Sequence, residues 1–342
     1  MEQFSYHFIA TMLHSLWQSA LLLVFFGTIT LVKPKLSPLS KRNLLLSMLA
    51  VQVIYSLATF YFLATDTTQG LLAAFSYSVS AVVATSWLQG NAIFIFLFYI
   101  LLVAGRLCSS SVQWSVFKKG YKRNLVKAPL DLRLFTEAKA LHFGISQKVS
   151  LWCSNYVHTP MTFGFWKPVI LLPVALLNQL SLQQTEALII HELTHIRHKD
   201  YLLNLALVIA ENLYFFNPFV WIIAKQLKME REKNCDTQVI HFEYNSILYA
   251  EALLIASQMQ QHLSLQMPAV KSKHQLLSRI NFFARPENLD FQQSKRSLVL
   301  AGYVSTVLLT LMLLFVFTQK NTVDLPPIVL PQNSLAITSL NN

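Results

Sequence analysis

The sequence predicts a mostly α-helical, polytopic membrane protein with four transmembrane helices and an α+β domain on the cytoplasmic side. Hydrophobic residues make up 54% of the 342 residues and charged residues 13%, with a mean hydropathy of +0.44. A soluble globular protein carries about 25% charged residues. Four apolar stretches are long enough to cross a bilayer. A longer segment with mixed helix and strand patterns separates the third stretch from the fourth.

The four predicted spans divide the chain into parts. The first three lie in a membrane domain, residues 1–108, at about 7–32, 44–64 and 92–108, and the fourth is residues 297–317. The first stretch has no positively charged residue before it and is too long for the apolar core of a signal peptide, so we expect it to be retained. The chain between the third and fourth spans, residues 109–296, is then the α+β domain.

Lysine and arginine residues predict the orientation of the spans. None precedes the first span, four lie in the 33–43 loop after it, none lies in the 66–91 segment, and the chain after the third span is basic as far as Arg296. Positive residues accumulate on the cytoplasmic side, so the N-terminus and the 66–91 segment are expected outside and the 109–296 domain inside. The fourth span then delivers a short tail, residues 318–342, to the outside.

The net charge of +11 does not indicate nucleic-acid binding. The basic residues fall in cytoplasmic segments near the spans, where they would meet anionic lipid headgroups. A nucleic-acid-binding module would combine a basic face with interleaved aromatic residues, and the sequence shows no such pattern. Membrane lipid is therefore an expected partner, and direct nucleic-acid binding is not expected.

A metal-binding pattern, His191-Glu-Leu-Thr-His195, lies in the predicted cytoplasmic domain. Ser181 and Gln184 form a capping-box pattern, which predicts a helix that begins after the serine and continues through the motif. On a helix, the two histidines share one face and can bind one zinc ion. Glu192 then lies beside the metal, where it can take a proton from a bound water. The alternative is two surface histidines on an amphipathic helix.

A zinc hydrolase needs a third protein ligand, and Glu232 is a candidate. Glu232 and Asp236 share a face of a helix, so Glu232 could complete the site while Asp236 accepts the other ring N–H of a zinc-binding histidine. Glu230 is the rival ligand, although it lies on a different face from Asp236. Cys235 is expected to point away from that face and to be packed as a small side chain. The alternative is a charged, solvated helix surface, because basic residues surround these acids.

The apolar stretch Tyr201–Ile223 is long enough to suggest another crossing. If it crossed once, the two histidines and Glu232 would lie on opposite sides of the membrane and could not share a metal ion. The stretch contains polar residues and the pair Asn217-Pro218, a helix-breaking signal. We therefore expect a buried or interfacial, membrane-associated helical hairpin near residues 201–223, broken at Asn217-Pro218.

The region before the motif shows mixed patterns. Leu130–Phe143 is predicted to be a helix, and Val149–Cys153 and Val169–Leu172 are predicted to be short strands. A zinc peptidase usually presents an edge strand beside its metal-binding helix, to which an extended substrate adds by main-chain pairing. Val169–Leu172 is a candidate for that edge strand, and the alternative is a core strand without substrate contact.

Four segments together resemble the BlaR/MecR family of membrane signal-transducing metallopeptidases. They are Thr159–Pro173 (TPMTFGFWKPVILLP), His191–Asp200 (HELTHIRHKD), Asn217-Pro218 and Glu230–Asp236 (EREKNCD). The resemblance implies a gluzincin-like zinc metallopeptidase domain with three zinc ligands, a base and a supporting carboxylate. In this sequence these are His191, His195 and Glu232, then Glu192, then Asp236. The resemblance also implies a location in the bacterial inner membrane.

The chain departs from the β-lactam sensors of that family, which carry a large penicillin-binding domain outside the membrane, after the fourth span. Only residues 318–342 follow that span here, too few for such a domain. The resemblance therefore implies a member without the penicillin-binding sensor domain. The sequence does not predict the activating signal.

The predicted activity is zinc-dependent hydrolysis of peptide bonds on the cytoplasmic side, in signal transduction. The expected substrate is a protein or peptide, such as a cytoplasmic transcriptional repressor, and a homodimer is left open. Glu192 would pass a proton from the attacking water to the leaving amine, and His198, Arg231 or His241 would stabilise the oxyanion.

Two other functions are weighed against this one. A housekeeping membrane protease of the HtpX or CAAX-processing type would take its substrate from the membrane. A non-proteolytic signalling scaffold would have no use for Glu192.

Overall fold

The structure, a computed structural model, describes residues 1–65, 86–123, 125–242, 244–263 and 269–284. Within these ranges the chain is mostly helical, with one small sheet, as the sequence predicts. The predicted fourth span and the tail after it lie outside the described residues, as does most of the 66–91 segment.

The first three helices contain the predicted N-terminal spans: α1 is Glu2–Val32, α2 is Pro38–Ala64 and α3 is Ser86–Arg123. All three are long and apolar enough to cross a membrane, α3 over Gly90–Gly120. Large apolar side chains such as Leu57 and Leu101 are exposed on them, as lipid-facing residues would be. The third helix continues well past Cys108, because no proline interrupts the polar residues that follow.

Four short strands form one sheet: β1 is Leu125–Lys127, β2 is Ser150–Ser154, β3 is Met161–Phe163 and β4 is Val169–Pro173. The strand order is β1-β2-β4-β3, with β2 and β4 parallel and the outer strands antiparallel to their neighbours. The predicted strands Val149–Cys153 and Val169–Leu172 are confirmed to within one residue at each end. The pattern does not predict β1 and β3, because three residues show no clear alternation.

The prediction that Val169–Leu172 is an edge strand is wrong, and the alternative prediction of a core strand is confirmed for its position in the sheet. Strand β4 lies between β2 and β3. Ile170, Leu171 and Leu172 are all almost fully buried, although successive side chains of a strand point to opposite faces. Both faces of β4 are therefore covered, which is typical of a central strand. The edge of the described sheet on this side is β3.

Seven further helices complete the described residues: α4 is Leu130–His142, α5 is Val174–Leu177, α6 is Leu182–Arg197, α7 is Asp200–Leu213, α8 is Pro218–His241, α9 is Ser246–Leu263 and α10 is Ala269–Phe283. Helix α4 confirms the predicted helix over Leu130–Phe143. The predicted capping box of α6 is also confirmed: Ser181 Oγ accepts from Gln184 N at 3.2 Å, and Ser181 N donates to Gln184 Oε1 at 3.0 Å.

The predicted helical hairpin is formed by α7 and α8. Asn217 Oδ1 accepts from Phe219 N and Val220 N and so caps α8, while its side-chain amide donates to the backbone oxygen of Ser15 on α1 at 3.0 Å. Tyr214, at the end of α7, donates to Ser56 Oγ on α2 at 2.8 Å. The break at Asn217-Pro218 therefore packs against the middle of the first two helices.

Candidate metal centre

Helix α6 places both motif histidines on one face. His191 is buried and His195 is mostly buried, and their ring centroids are 4.9 Å apart, as residues four apart on a helix should be. The fully buried Ile190 and Leu193 belong to the main apolar core with strands of the sheet. The amphipathic pattern of α6 thus fixes the helix on the sheet and turns the histidines toward α8.

Glu232, on α8, faces the two histidines. Its Oε2 lies 3.5 Å from His191 Nε2, and its Oε1 lies 3.9 Å from His195 Nε2. One ligand atom from each of the three residues lies within 4.8 Å of the others. Two imidazole nitrogens and a carboxylate oxygen are a donor set that suits zinc, so these residues can hold a metal ion.

The rival ligand Glu230 lies elsewhere. It is buried and accepts hydrogen bonds from Lys233 Nζ at 3.0 Å and Gln226 Nε2 at 3.2 Å. Two residues of a helix that are two apart point in very different directions, so Glu230 packs on another side of α8 and is not in the cluster.

Glu192, the predicted base, follows His191 on α6 and is buried, with 6% of its surface exposed. Its Oε2 has no hydrogen-bond partner among the described residues. A buried carboxylate oxygen without a donor is costly, so this atom would be stabilised by a further polar group. A water at the metal would be such a group, and the donor set and this oxygen together fit a hydrolytic metal centre.

The second ring nitrogen of His191 faces Asp236, as predicted. The Nδ1 to Oδ1 distance is 3.3 Å, and the Tyr249 hydroxyl lies 2.9 Å from Nδ1 and donates to Asp236 Oδ1 at 2.7 Å. Arg279, on α10, donates to both carboxylate oxygens, at 2.9 and 2.6 Å. Burial raises the pKa of Asp236, but Arg279 and the hydrogen bonds lower it to about 2, so the supporting carboxylate stays ionised.

The second ring nitrogen of His195 faces Asp200, a residue that the spacing arguments do not identify. His195 Nδ1 lies 2.7 Å from Asp200 Oδ2, and Arg42 on α2 lies 3.3 Å from Asp200 Oδ1. Lys199 adopts a left-handed conformation, with φ of 53°, and the turn brings Asp200 back to the histidine. The signal in the sequence is the carboxylate five residues after His195, in a short polar segment between two helices.

Cys235 is a packed, buried side chain, as predicted. The expectation that it points away from the metal face is wrong, because its Sγ lies 3.4 Å from His195 Nδ1. Residues three apart on a helix are neighbours, so Cys235 shares a side of α8 with Glu232. Burial and the nearby carboxylates raise the pKa of this thiol, which keeps it neutral.

Burial and neighbouring charges shift the pKa values of two residues of the cluster. Burial raises the pKa of Glu232, but His191, His195, Arg279 and Arg231 hold it well below its usual value. Burial lowers the pKa of His191, but its hydrogen bonds to Asp236 and Glu232 raise it to about 9. Metal binding at this site would therefore be coupled to the loss of a proton from His191.

An open groove runs from His195 along the edge of the sheet. Its lining comes from the segment before β2, from β3 and the turn after it, and from the end of α6 and the start of α7. The lining residues are Gln147, Thr162, Phe163, Gly164, Phe165, Pro168, His195, Ile196, Lys199 and Tyr201. The turn requires glycine, because Gly164 has φ of 94° and a Cβ there would lie 2.5 Å from the Lys167 carbonyl oxygen. Helix α6 packs against β3, so the groove joins the cluster to an edge strand.

Comparison with known proteins assigns the family. Residues 4–283 match the family described as BlaR1 peptidase M56. The chain belongs to this peptidase family. The match covers the three N-terminal helices, the sheet and the candidate metal cluster, and it confirms the resemblance to BlaR/MecR proteins.

Two relatives show how far the similarity extends. The M56 chain is 35% identical over 109 residues to the regulatory protein BlaR1 of Bacillus licheniformis. The aligned segment covers 30% of this chain and 18% of that protein. It is 29% identical over 111 residues to the methicillin resistance mecR1 protein of Staphylococcus aureus. That segment covers 32% of this chain and 19% of the relative. The matches thus span about a fifth of the length of either relative.

The three candidate oxyanion donors of this M56 chain differ in their surroundings. Arg231 donates to Glu232 Oε1 at 3.1 Å and so lies beside the cluster. Burial and Arg42 lower the pKa of His198, at the end of α6, to about 4, which leaves it neutral. His241 is exposed at the end of α8, nine residues and about 14 Å along the helix from Glu232. Of these three side chains, Arg231 is bonded to a residue of the cluster.

Proposed function

We propose that this M56 chain is an integral-membrane zinc endopeptidase that cleaves peptide bonds on the cytoplasmic side. His191, His195 and Glu232 are the proposed zinc ligands, and Glu192 is the proposed base. One observation carries the proposal: one ligand atom from each of the three residues lies within 4.8 Å of the others. Glu192 follows His191 on the same helix, and its buried Oε2 has no hydrogen-bond partner among the described residues. A peptidase family supplies the reaction class.

The roles of the side chains follow from their positions. A bound zinc ion supplies Lewis acidity toward a peptide carbonyl and toward the attacking water. Glu192 Oε2 accepts the proton of that water and delivers it to the leaving amine. Arg231, beside Glu232, is the proposed donor to the oxyanion. Asp236 and Asp200 orient the two histidines by accepting hydrogen bonds from their Nδ1–H groups.

Substrate binding is proposed at the edge strand β3. On the side away from β4, no strand pairs with β3 among the described residues, so an extended peptide can add to it by main-chain hydrogen bonds. The groove leads from β3 to His195, which would present one peptide bond of the added strand to the metal. This strand takes the place that the sequence assigned to Val169–Leu172.

The proposed topology keeps the cluster in the cytoplasm. The domains are the membrane domain 1–108, the peptidase domain 109–296, the fourth span 297–317 and the outer tail 318–342, with both termini outside. The hairpin of α7 and α8 does not separate the ligands, because it returns the chain to the side on which α6 ends. We propose a bacterial inner-membrane location and a regulatory substrate, such as a cytoplasmic repressor, because the relatives are named as regulatory and resistance proteins.

A substrate from the membrane is the second candidate, in line with a housekeeping protease. One observation favours it: the groove ends at Tyr201, and the outward face of α7 carries the partly exposed Leu202, Leu205 and Ile209. A hydrophobic segment could approach along this face. Cleavage of a single-span reporter in mixed vesicles, with soluble regulators left intact, would favour this function over the first.

Glu192→Gln tests the mechanism. The purified full chain in detergent is expected to bind one equivalent of zinc and to cleave candidate cytoplasmic proteins, whereas the Gln variant binds zinc with cleavage at least a hundredfold slower, the scale of general acid–base catalysis. Glu186→Gln, on the same helix, is the matched control, since its carboxylate bonds to the Tyr244 hydroxyl away from the cluster. Undiminished cleavage by Glu192→Gln would overturn the mechanism, and a folded wild type without zinc would overturn the site.

A further inference from the structure

Arg42 is a buried cation in the second turn of α2, a helix apolar enough to span a membrane. Its side chain is 9% exposed, and its NH1 lies 3.3 Å from Asp200 Oδ1. The other guanidinium nitrogens, Nε and NH2, donate to Asn43 Oδ1 at 3.2 and 3.0 Å. The guanidinium is thus held on one side by its own helix and bonded on the other to a carboxylate that begins α7.

Asp200 connects this arginine to the metal centre. Its side chain is 4% exposed, and its two oxygens have different partners: Oδ1 accepts from Arg42, and Oδ2 lies 2.7 Å from His195 Nδ1. A carboxylate that already accepts from Arg42 through one oxygen is an acceptor for the ring as well, so Nδ1 is the donor in this contact. The lone pair of His195 then lies on Nε2, the atom that faces Glu232. One carboxylate thus sets both the tautomer and the ring orientation of a proposed ligand.

We propose that Arg42 is a positioning residue for the metal centre: it holds the Asp200 carboxylate against His195, so that the position of the membrane-spanning helix α2 sets the geometry of a metal ligand. This inference rests on the proposed zinc site. Without Arg42, one oxygen of a buried carboxylate would lose its charged donor, and the carboxylate would turn toward another. The alternative is an ion pair that only joins α2 to α7, without an effect on the metal.

Metal affinity and ligand geometry test the inference on the full chain in detergent. Zinc affinity is measured by competition with a chromophoric chelator, and the visible spectrum of the Co²⁺-loaded protein reports the geometry of the ligands. Arg42→Gln is expected to weaken zinc binding about tenfold, the lower range for outer partners of a ligand, and to change the Co²⁺ spectrum. Lys41→Gln is the matched control, because it removes a cation from the same turn that does not bond to Asp200. It is expected to retain wild-type affinity and spectrum.

A double variant distinguishes an Arg42 that positions Asp200 for metal binding from an ion pair that only joins α2 to α7. Asp200→Asn is expected to weaken zinc binding about 10- to 100-fold, and Arg42→Gln added to it is expected to cause no further loss, because the arginine acts through the carboxylate. Losses that multiply would overturn the proposal, as would wild-type affinity and spectrum in Arg42→Gln. If Arg42→Gln gives no monodisperse protein, Arg42→Lys tests the proposal instead. A lysine keeps the charge but cannot hydrogen-bond to Asn43 and Asp200 at the same time as the guanidinium does. It is expected to bind zinc severalfold more weakly, and wild-type behaviour would overturn the proposal.

The wild type distinguishes this inference from the proposed function. A wild-type chain that binds no zinc would overturn both. A wild-type chain that binds zinc, with Arg42→Gln indistinguishable from it, would overturn only the role of Arg42.

Discussion

The two histidines of the metal centre are supported from different parts of the molecule. Behind His191 stand Asp236 on α8, Tyr249 on α9 and Arg279 on α10. Behind His195 stand Asp200 at the start of α7 and Arg42 on α2. The first support is built wholly from helices that follow the motif in the chain. The second reaches into the N-terminal helices, so the centre joins the apolar bundle to the rest of the fold.

The two supports also differ in how many bonds they contain. Asp236 is fully buried and accepts three hydrogen bonds from Arg279 and Tyr249 in addition to its contact with His191. Asp200 has one partner on each oxygen. The bonds of Asp236 therefore join α8, α9 and α10 within the core. Asp200, by contrast, connects only Arg42 to His195. Loss of the Asp236 carboxylate should mainly lower the stability of the fold, and loss of the Asp200 carboxylate should mainly weaken metal binding.

The largest expected effect comes from Asp236→Asn. Asp236 accepts three hydrogen bonds from Arg279 and Tyr249, and without its charge the mostly buried Arg279 would keep only the longer ion pair to Glu232 Oε2, at 3.4 Å. The free energy of unfolding of the metal-free protein is therefore expected to fall by about 3–5 kcal/mol. Asp200→Asn is expected to cost less, about 1–3 kcal/mol, while it still weakens zinc binding. Denaturant unfolding in detergent, followed by circular dichroism, measures both. Equal losses of stability in the two variants would break the comparison.

Tyr249→Phe sharpens the comparison within the His191 side. The change removes the hydroxyl that bridges Asp236 and His191 and leaves Asp236 paired with Arg279. Zinc affinity is therefore expected to fall about tenfold, and the free energy of unfolding by about 1–2 kcal/mol. Chelator competition measures the first and denaturant unfolding the second. The matched control is Tyr244→Phe, which loses a hydroxyl bonded to Glu186 and should keep wild-type zinc affinity. A similar loss of affinity in the control would show that the bridge has no special role.

The last expected effect is a pH dependence near the His195 side. Burial and the Arg42 charge lower the pKa of His198 from 6.5 to about 4. The unfolded chain therefore takes up a proton below about pH 6.5 that the folded chain takes up only near pH 4, and stability falls as the pH drops between these values. Apparent melting temperatures of the metal-free protein between pH 4 and 7 measure this fall. In His198→Gln the fall should be shallower, whereas in His241→Gln, at the exposed end of α8, it should match the wild type. Equal slopes in all three proteins would contradict the assignment.

Local patterns in the sequence predict much of this protein. The spacing of His191 and His195, the capping box at Ser181 and the break at Asn217-Pro218 depend on residues within one or two helical turns, so helical geometry suffices to interpret them. The placement of Glu232 and Asp236 on one face follows from the same periodicity. Composition predicts the three N-terminal apolar helices, because the bilayer fixes their length.

Only the tertiary structure decided which further residues complete the centre. Arg42 and Asp200 are 158 positions apart, His191 and Tyr249 are 58 apart, and Asp236 and Arg279 are 43 apart. No periodicity within a helix connects such positions, because these contacts depend on how separate helices pack. The same reason explains the edge strand: the order of strands in a sheet is set by long-range pairing, so the sequence by itself could place Val169–Leu172 in a strand but could not place β3 beside it at the edge.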